Sequence, residues 1–137
     1  DSSAIVPILV QDQMTRSLYN LYQQDIKMIV WWGAEIECVS AISRLEREEK
    51  LLLNSATEAL SRLNELRANW YEIQPQDSLR ETAKRMLRVH VLCAADSLQL
   101  AAALIASENK PSTLDFACLD KRLADSAQKE GFNVIRA

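Results

Sequence analysis

Glycine is nearly missing from this chain of 137 residues, which has only Gly33 and Gly131. No glycine-rich loop that wraps a phosphate can be built from them, so a phosphoryl-transfer or receiver-like α/β domain lacks its usual cradle. Histidine is scarcer still, with His90 alone. A metal-free ribonuclease wants a paired acid and base such as two imidazoles, and that route is closed; His90 reads as a helix-end residue with no catalytic duty. Cys38, Cys93 and Cys118 contain no CxxC pair and, with one histidine, cannot assemble a tetrahedral zinc site. An odd, widely spaced set makes no disulfide framework either, so all three are expected to be buried apolar thiols in a reducing compartment. Long hydrophobic runs are also lacking. The most apolar stretch, Ser97 to Ala106, falls well short of the roughly 20 residues that span a bilayer. The first residues do not follow the basic-then-apolar order of a signal peptide, so the expectation is a soluble cytoplasmic protein with no membrane partner.

The remaining composition is that of an ordinary globular domain, with 48% hydrophobic and 26% charged residues. The length suits a single domain over residues 1–137, and no linker or composition shift divides it. A net charge of −3 argues against chain-wide attraction to nucleic acid. Basic residues do gather at Arg44 and Arg47, at Lys84, Arg85 and Arg88, and at Lys121 and Arg122; each group reads as a solvated helix face.

Periodicity along the chain alternates between strand and helix. Ser2 and Ser3 suit a helix cap, and Pro7 fits only near the first turn of the helix that follows. A helical pattern runs through Met14, Leu18, Leu21 and Tyr22. Ile26 to Trp31 reads as a buried strand punctuated by Gly33, with one of Trp31 and Trp32 sent to the core and the other toward a neighbour. From Ala34 the period is helical, with Ile36, Val39, Ile42, Ser43 and Leu45 near one stripe and the charged run Glu46 to Lys50 closing it. Leu51 to Trp70 is one long amphipathic helix or a pair, followed by a short strand over Trp70 to Ile73. Asp77 or Ser78 caps a helix reaching about Arg88, and another runs from Ala94 to about Ser107. After a loop with Pro111, Leu114 to Leu119 reads as a strand, Lys121 to Glu130 as a helix stopped by Gly131, and Phe132 to Ile135 as a last strand. The order predicts an α/β fold, a small parallel sheet with helices on both faces.

Four acids stand where apolar runs give way to helical patterns: Asp1, Glu37, Asp96 and Asp120. Taken singly, each is explained as a helix N-terminal carboxylate that favours the dipole. Taken together, they sit at junctions that an alternating fold places along one sheet edge, so folding is expected to bring them into one cleft. Glu37 and Asp96 lie in apolar surroundings, where an unpartnered carboxylate is costly, and carboxylates that repel one another call for a cation. The donor type points to a divalent metal.

These segments resemble the PIN-domain nucleases, most closely the VapC-type toxins of bacterial VapBC toxin–antitoxin pairs. Asp1-Ser2-Ser3-Ala4 is similar to the family's first motif, Ile36-Glu37 with Arg44 to the second, Ala95-Asp96-Ser97-Leu98-Gln99-Leu100-Ala101 to the third, and Leu119-Asp120-Lys121-Arg122-Leu123 with Gly131 to the fourth. The likeness spans nearly the whole chain. Glu46 is a second candidate for the second acid, but its charged run looks solvated and Glu37 is favoured. The family usually has a short strand ahead of the first Asp, which the sequence given does not include. Cys118 occupies a place where the family often has Thr, and Cys93 one where Arg is common.

The resemblance implies a PIN-like fold and a metal-dependent endoribonuclease in which Asp1, Glu37, Asp96 and Asp120 hold one or two Mg²⁺ or Mn²⁺ ions. Asp1 and Asp96 would ligate directly, Asp120 through water, and Ser3 would support a ligand or phosphate by a hydrogen bond. It also implies an RNA substrate such as tRNA, a cognate antitoxin that crosses the cleft, and a homodimer. The alternative is a PIN-like regulatory or binding module that kept the fold and lost catalysis. The apolar faces from Met14 to Tyr22 and from Leu51 to Leu66 exceed what one small sheet needs and suit a partner.

Overall fold

The computed structural model describes residues 1–12 and 16–136. In chain order its elements are α1 (Ser2–Val10), α2 (Arg16–Gln24), β1 (Ile29–Trp31), α3 (Ala34–Arg47), α4 (Leu53–Arg67), β2 (Tyr71–Ile73), α5 (Asp77–Val89), α6 (Ala94–Ala106), β3 (Asp115–Ala117), α7 (Lys121–Glu130) and β4 (Asn133–Ile135), with a 3₁₀ turn at Pro111–Thr113. The alternation of strands and helices gives the α/β class. Among the described residues the strands form two separate pairs, β1 with β2 and β3 with β4, rather than the single sheet that the sequence predicts. Each strand has only three residues, so each offers few ladder bonds to a further neighbour.

Two compact units divide the chain: the first holds Asp1, Ile29–Trp32 and Glu72–Arg136, the second Ser2–Met28 and Gly33–Tyr71. In the first unit β3 and β4 run parallel, with Asp115, Phe116 and Ala117 facing Asn133, Val134 and Ile135. The ladder extends one step as the Cys118 N–H donates to the Ile135 carbonyl at 3.1 Å. Phe116 and Cys118 point to the same side, as alternate strand residues must, and both are buried. They pack with Met86, Leu100, Leu104, Leu123 and Phe132. Phe116 and Phe132 meet with ring centroids 5.6 Å apart. A second cluster, Ile73, Leu79, Ala83, Ala101 and Ala102, receives Trp31 at its margin. Because Leu100 and Leu104 serve the first cluster and Ala101 and Ala102 the second, α6 is buried on two sides, which accounts for its nearly continuous apolar sequence. Trp31 packs and Trp32 is exposed, in line with the alternation predicted for this pair.

In the second unit α1, α3 and α4 pack on one another. Their buried residues include Ala4, Ile5 and Leu9 of α1, Ala34, Cys38 and Ile42 of α3, and Ala56, Ala59 and Leu63 of α4. The alanines let the helix axes approach closely. Pro7 lies inside α1 rather than at its start. Its missing N–H cannot donate to the Ser3 carbonyl, and the helix ends one turn later with its last carbonyls bonded from outside the helix. There Gln11 turns left-handed at φ 57°, the Asp12 N–H donates to the Pro7 carbonyl at 3.0 Å, and Arg62 Nε donates to the Leu9 carbonyl at 2.7 Å.

Several boundaries and faces differ from those the sequence predicts. β1 starts at Ile29 because Lys27 N–H bonds the Asp25 side chain at 3.1 Å and Met28 N–H bonds the Ile26 carbonyl at 3.0 Å, which commits 25–28 to turns. The buried face of α3 runs Ala34, Cys38, Ile42, and Ile36 and Val39 are exposed. Leu51 to Trp70 holds one helix, α4, which is one of the two readings the sequence offers, whereas Asp77 starts α5 without serving as its cap. Met14 lies outside the described residues. Among them, no single helix is long and apolar enough to cross a membrane; α5 and α6 pass that test only as a pair bent by 119°.

Cys38 and Cys118 are buried as predicted, but Cys93 is exposed, because it precedes α6 at the N-cap position instead of lying on a buried face. Burial, with the nearby Glu37 and Glu35 carboxylates, pushes the Cys38 thiol from 9.0 up to about 12. The folded state therefore keeps a proton that the unfolded chain releases. The contribution is fully present below pH 9.0 and is lost as pH rises toward about 12. Thiol alkylation at pH 8 is expected to modify Cys93 rapidly and to leave Cys38 protected, while replacing Cys38 with Ala should flatten the decline of stability across that alkaline window in denaturant titrations.

Gly131 ends α7 at φ 103°, and a Cβ there would come within 3.2 Å of Pro111 Cγ. Gly131→Ala is expected to cost about 1–2 kcal/mol through the left-handed backbone alone, read as a lower thermal midpoint.

Candidate functional site

The C-terminal end of β3 is where the first acid and the last one come together. Asp1 is half-buried, and its nitrogen donates to the Ala117 carbonyl at 3.3 Å. Its carboxylate Oδ2 accepts from the Cys118 thiol at 3.5 Å, and the same sulphur lies 3.3 Å from the Asp120 carbonyl oxygen. Residues 1 and 120 are thus joined through one buried side chain. Asp120 is the N-cap of α7, with Oδ1 accepting from the Leu123 N–H at 2.9 Å. The capping is local chemistry: an extended Asp120 turns its short side chain back on the first helical turn.

Asp96 stands in the first turn of α6, half-buried instead of fully enclosed. It lies four residues ahead of Leu100 and so on the same helix face. Leu100 shares its buried cluster with Cys118 and Leu123. Asp1 is therefore joined to this cluster by the hydrogen bond from Cys118, and Asp120 by its cap on the Leu123 N–H, whereas Asp96 shares only a helix face with Leu100.

Glu37 belongs to the second unit. It occupies the first turn of α3, is half-buried, and accepts from Ser2 Oγ at 3.0 Å. Ser2, which reads as a cap, is instead that donor. Ser3 lies half-buried in the first turn of α1, and Glu46 is exposed, as its charged run predicts. Glu37 and Asp96 are less enclosed than their apolar flanks suggest, because both sit at helix starts where side chains reach solvent. Of the basic groups, Lys84 is paired with Glu81 at 2.9 Å, while Arg44 and Arg122 are exposed. Asp125 holds both Lys121, at 3.4 Å, and Arg136, at 2.8 Å; the Arg136 hydrogen bond keeps its carboxyl below the usual range. The residue that sequence reasoning undervalued is Cys118. Its signal was the alternation that puts it on the Phe116 side of β3.

Among the described residues, no three His, Cys, Asp or Glu side chains converge to encircle an ion. A structural metal needs such a closed set, whereas Mg²⁺ commonly keeps several waters and is held through one or two carboxylates plus substrate phosphate. The hard oxygens of Asp1, Asp96 and Asp120 suit that second mode. No protein-family model matches the sequence, and no curated protein matches it.

The capping bond separates charge from structure at Asp120. Asp120→Asn keeps a side-chain acceptor and is expected to hold stability nearly unchanged, whereas Asp120→Ala should cost about 1 kcal/mol in chemical denaturation.

Proposed function

We propose that this chain is a metal-dependent endoribonuclease of PIN-like architecture, the toxin component of a toxin–antitoxin pair. The observation that carries the reading is the meeting of Asp1 and Asp120 through Cys118 at the C-terminal end of β3. In open α/β sheets, ligands bind outside the carboxyl ends of strands. The order and intervals of the four acid-bearing motifs support the same reading.

Asp1 and Asp96 would hold Mg²⁺ or Mn²⁺ directly, with Asp120 acting through water. A bound divalent ion supplies an acidified water and offsets the charge that develops on the leaving oxygen of a phosphodiester. The protein's own share is positional: the Cys118 contact orients Asp1, the cap fixes Asp120, and the first turn of α6 presents Asp96. Ser3 supports a ligand or phosphate. The substrate is a structured RNA such as tRNA, met in the cytoplasm. Exposed Ile36 and Val39 on α3, with Leu52 and Leu53 at the start of α4, support a protein partner on the second unit, either the antitoxin or a second copy.

A non-catalytic PIN-like module is the competing reading, favoured by Cys93 and Cys118 standing where the resembled family commonly has Arg and Thr. One assay decides between them. The wild-type chain incubated with tRNA and Mg²⁺ is expected to cleave it, EDTA to abolish cleavage, excess Mn²⁺ to restore it, and Asp96→Asn to lower the rate at least ~100-fold. Cleavage that persists with EDTA, or in Asp96→Asn, rejects the metal mechanism; an inert wild type that shows no saturable Mn²⁺ response selects the module.

A further inference from the structure

We propose that Cys118 is a positioning residue whose thiol proton holds the Asp1 carboxylate at the end of β3 and thereby sets the affinity of this corner for a divalent cation. The second half of that statement rests on the ribonuclease reading; the first does not. Cys118 is 0% exposed, and its sulphur lies 3.5 Å from Asp1 Oδ2 and 3.3 Å from the Asp120 carbonyl oxygen. Both oxygens accept, so the sulphur is the donor. It has one proton for two acceptors. The Asp120 carbonyl already receives the Ala124 N–H at 2.9 Å, and an ionised carboxylate is the stronger acceptor, so the proton belongs to Asp1.

Three restraints make the contact directional. Ladder bonding from the Cys118 N–H to the Ile135 carbonyl at 3.1 Å fixes the cysteine backbone. Packing with Leu100 and Leu123 fixes its side chain. The Asp1 nitrogen, bonded to the Ala117 carbonyl at 3.3 Å, fixes the aspartate from the other side. A carboxylate anchored at its nitrogen and at Oδ2 has little torsional freedom left, and a ligand held in advance loses less entropy when an ion arrives.

Two measurements on the intact chain test this. In the infrared S–H stretching region, the band that disappears in Cys118→Ala identifies Cys118. That band is expected below the band of exposed Cys93 in the wild type, and Asp1→Ala should move it upward; a Cys118 band indifferent to Asp1→Ala overturns the contact. Titration with MnCl₂ alone, followed by the electron paramagnetic resonance signal of free Mn²⁺, is expected to give about 10-fold weaker binding in Cys118→Ala, with Cys118→Ser recovering part of it. Unchanged affinity in Cys118→Ala, with both variants folded by circular dichroism, overturns the positioning role. A wild type that binds no Mn²⁺ overturns the metal site and its dependence on Cys118, while the infrared result still decides the thiol contact.

Discussion

One buried side chain, Cys118, belongs both to the hydrophobic core of the first unit and to its acid corner. The parallel ladder of β3 and β4 forces Phe116 and Cys118 onto one side, and the core closes over both. A core residue at this place must be small and apolar in packing, yet the Asp1 oxygen beside it needs a donor. Cysteine meets both demands, because it packs as a small hydrophobe and still offers an S–H. Packing and carboxylate geometry are therefore coupled: loosening Leu100 or Leu123 would move the sulphur, and with it the group that orients Asp1.

Helix starts explain much of where the acids lie, and that explanation has to be discounted before any is called functional. A carboxylate in a first turn stabilises by roughly 0.3–1 kcal/mol whatever else it does. Glu35, Glu37, Asp77 and Asp96 all hold such positions, and Asp120 is a true cap. Asp77 is spent on solvent and on Arg80 at 3.3 Å, with its side chain 93% exposed. Glu35 is spent on Arg67. Asp1 differs from these in accepting a hydrogen bond from Cys118, a member of the first unit's core cluster, a contact that dipole energetics does not produce.

The parts of the fold readable from sequence are those set by local chemistry. Lys121–Glu130 and its stop at Gly131 match the prediction, since an Asp cap and a glycine in the left-handed region are short-range signals. The limits of α6 were legible for the same reason, as an uninterrupted apolar period. Which face of α3 is buried was not, because Ile36 and Val39 compete with Ala34, Cys38 and Ile42 in hydrophobicity, and only packing against α1 and α4 decides. Small residues won, since they admit close helix contacts. The pairing of strands was equally hidden, being a long-range choice among three-residue segments. Within the candidate site, the aspartates were singled out by type and spacing, and the structure brings two of them, Asp1 and Asp120, to one thiol. The thiol that links them was not legible, since nothing local distinguishes a core cysteine from one with a carboxylate beside it.

The only imidazole sharpens the chemical argument. His90 caps the end of α5, and its Nε2 lies 2.6 Å from Glu130 Oε1 at the end of α7, with the side chains 5% and 15% exposed. Arg85 approaches the other oxygen of Glu130 at 3.9 Å. A ring enclosed to that degree and committed to a carboxylate ties two helix ends together and has no open path to a substrate proton. Imidazole is thereby withdrawn from proton transfer at the aspartate corner, where the side chains shown are carboxylates and the Cys118 thiol. A carboxylate is by nature a weak base at neutral pH, and water is a poor nucleophile there unless a cation acidifies it. The spending of His90 on structure thus bears directly on which chemistry the aspartate corner would have to use.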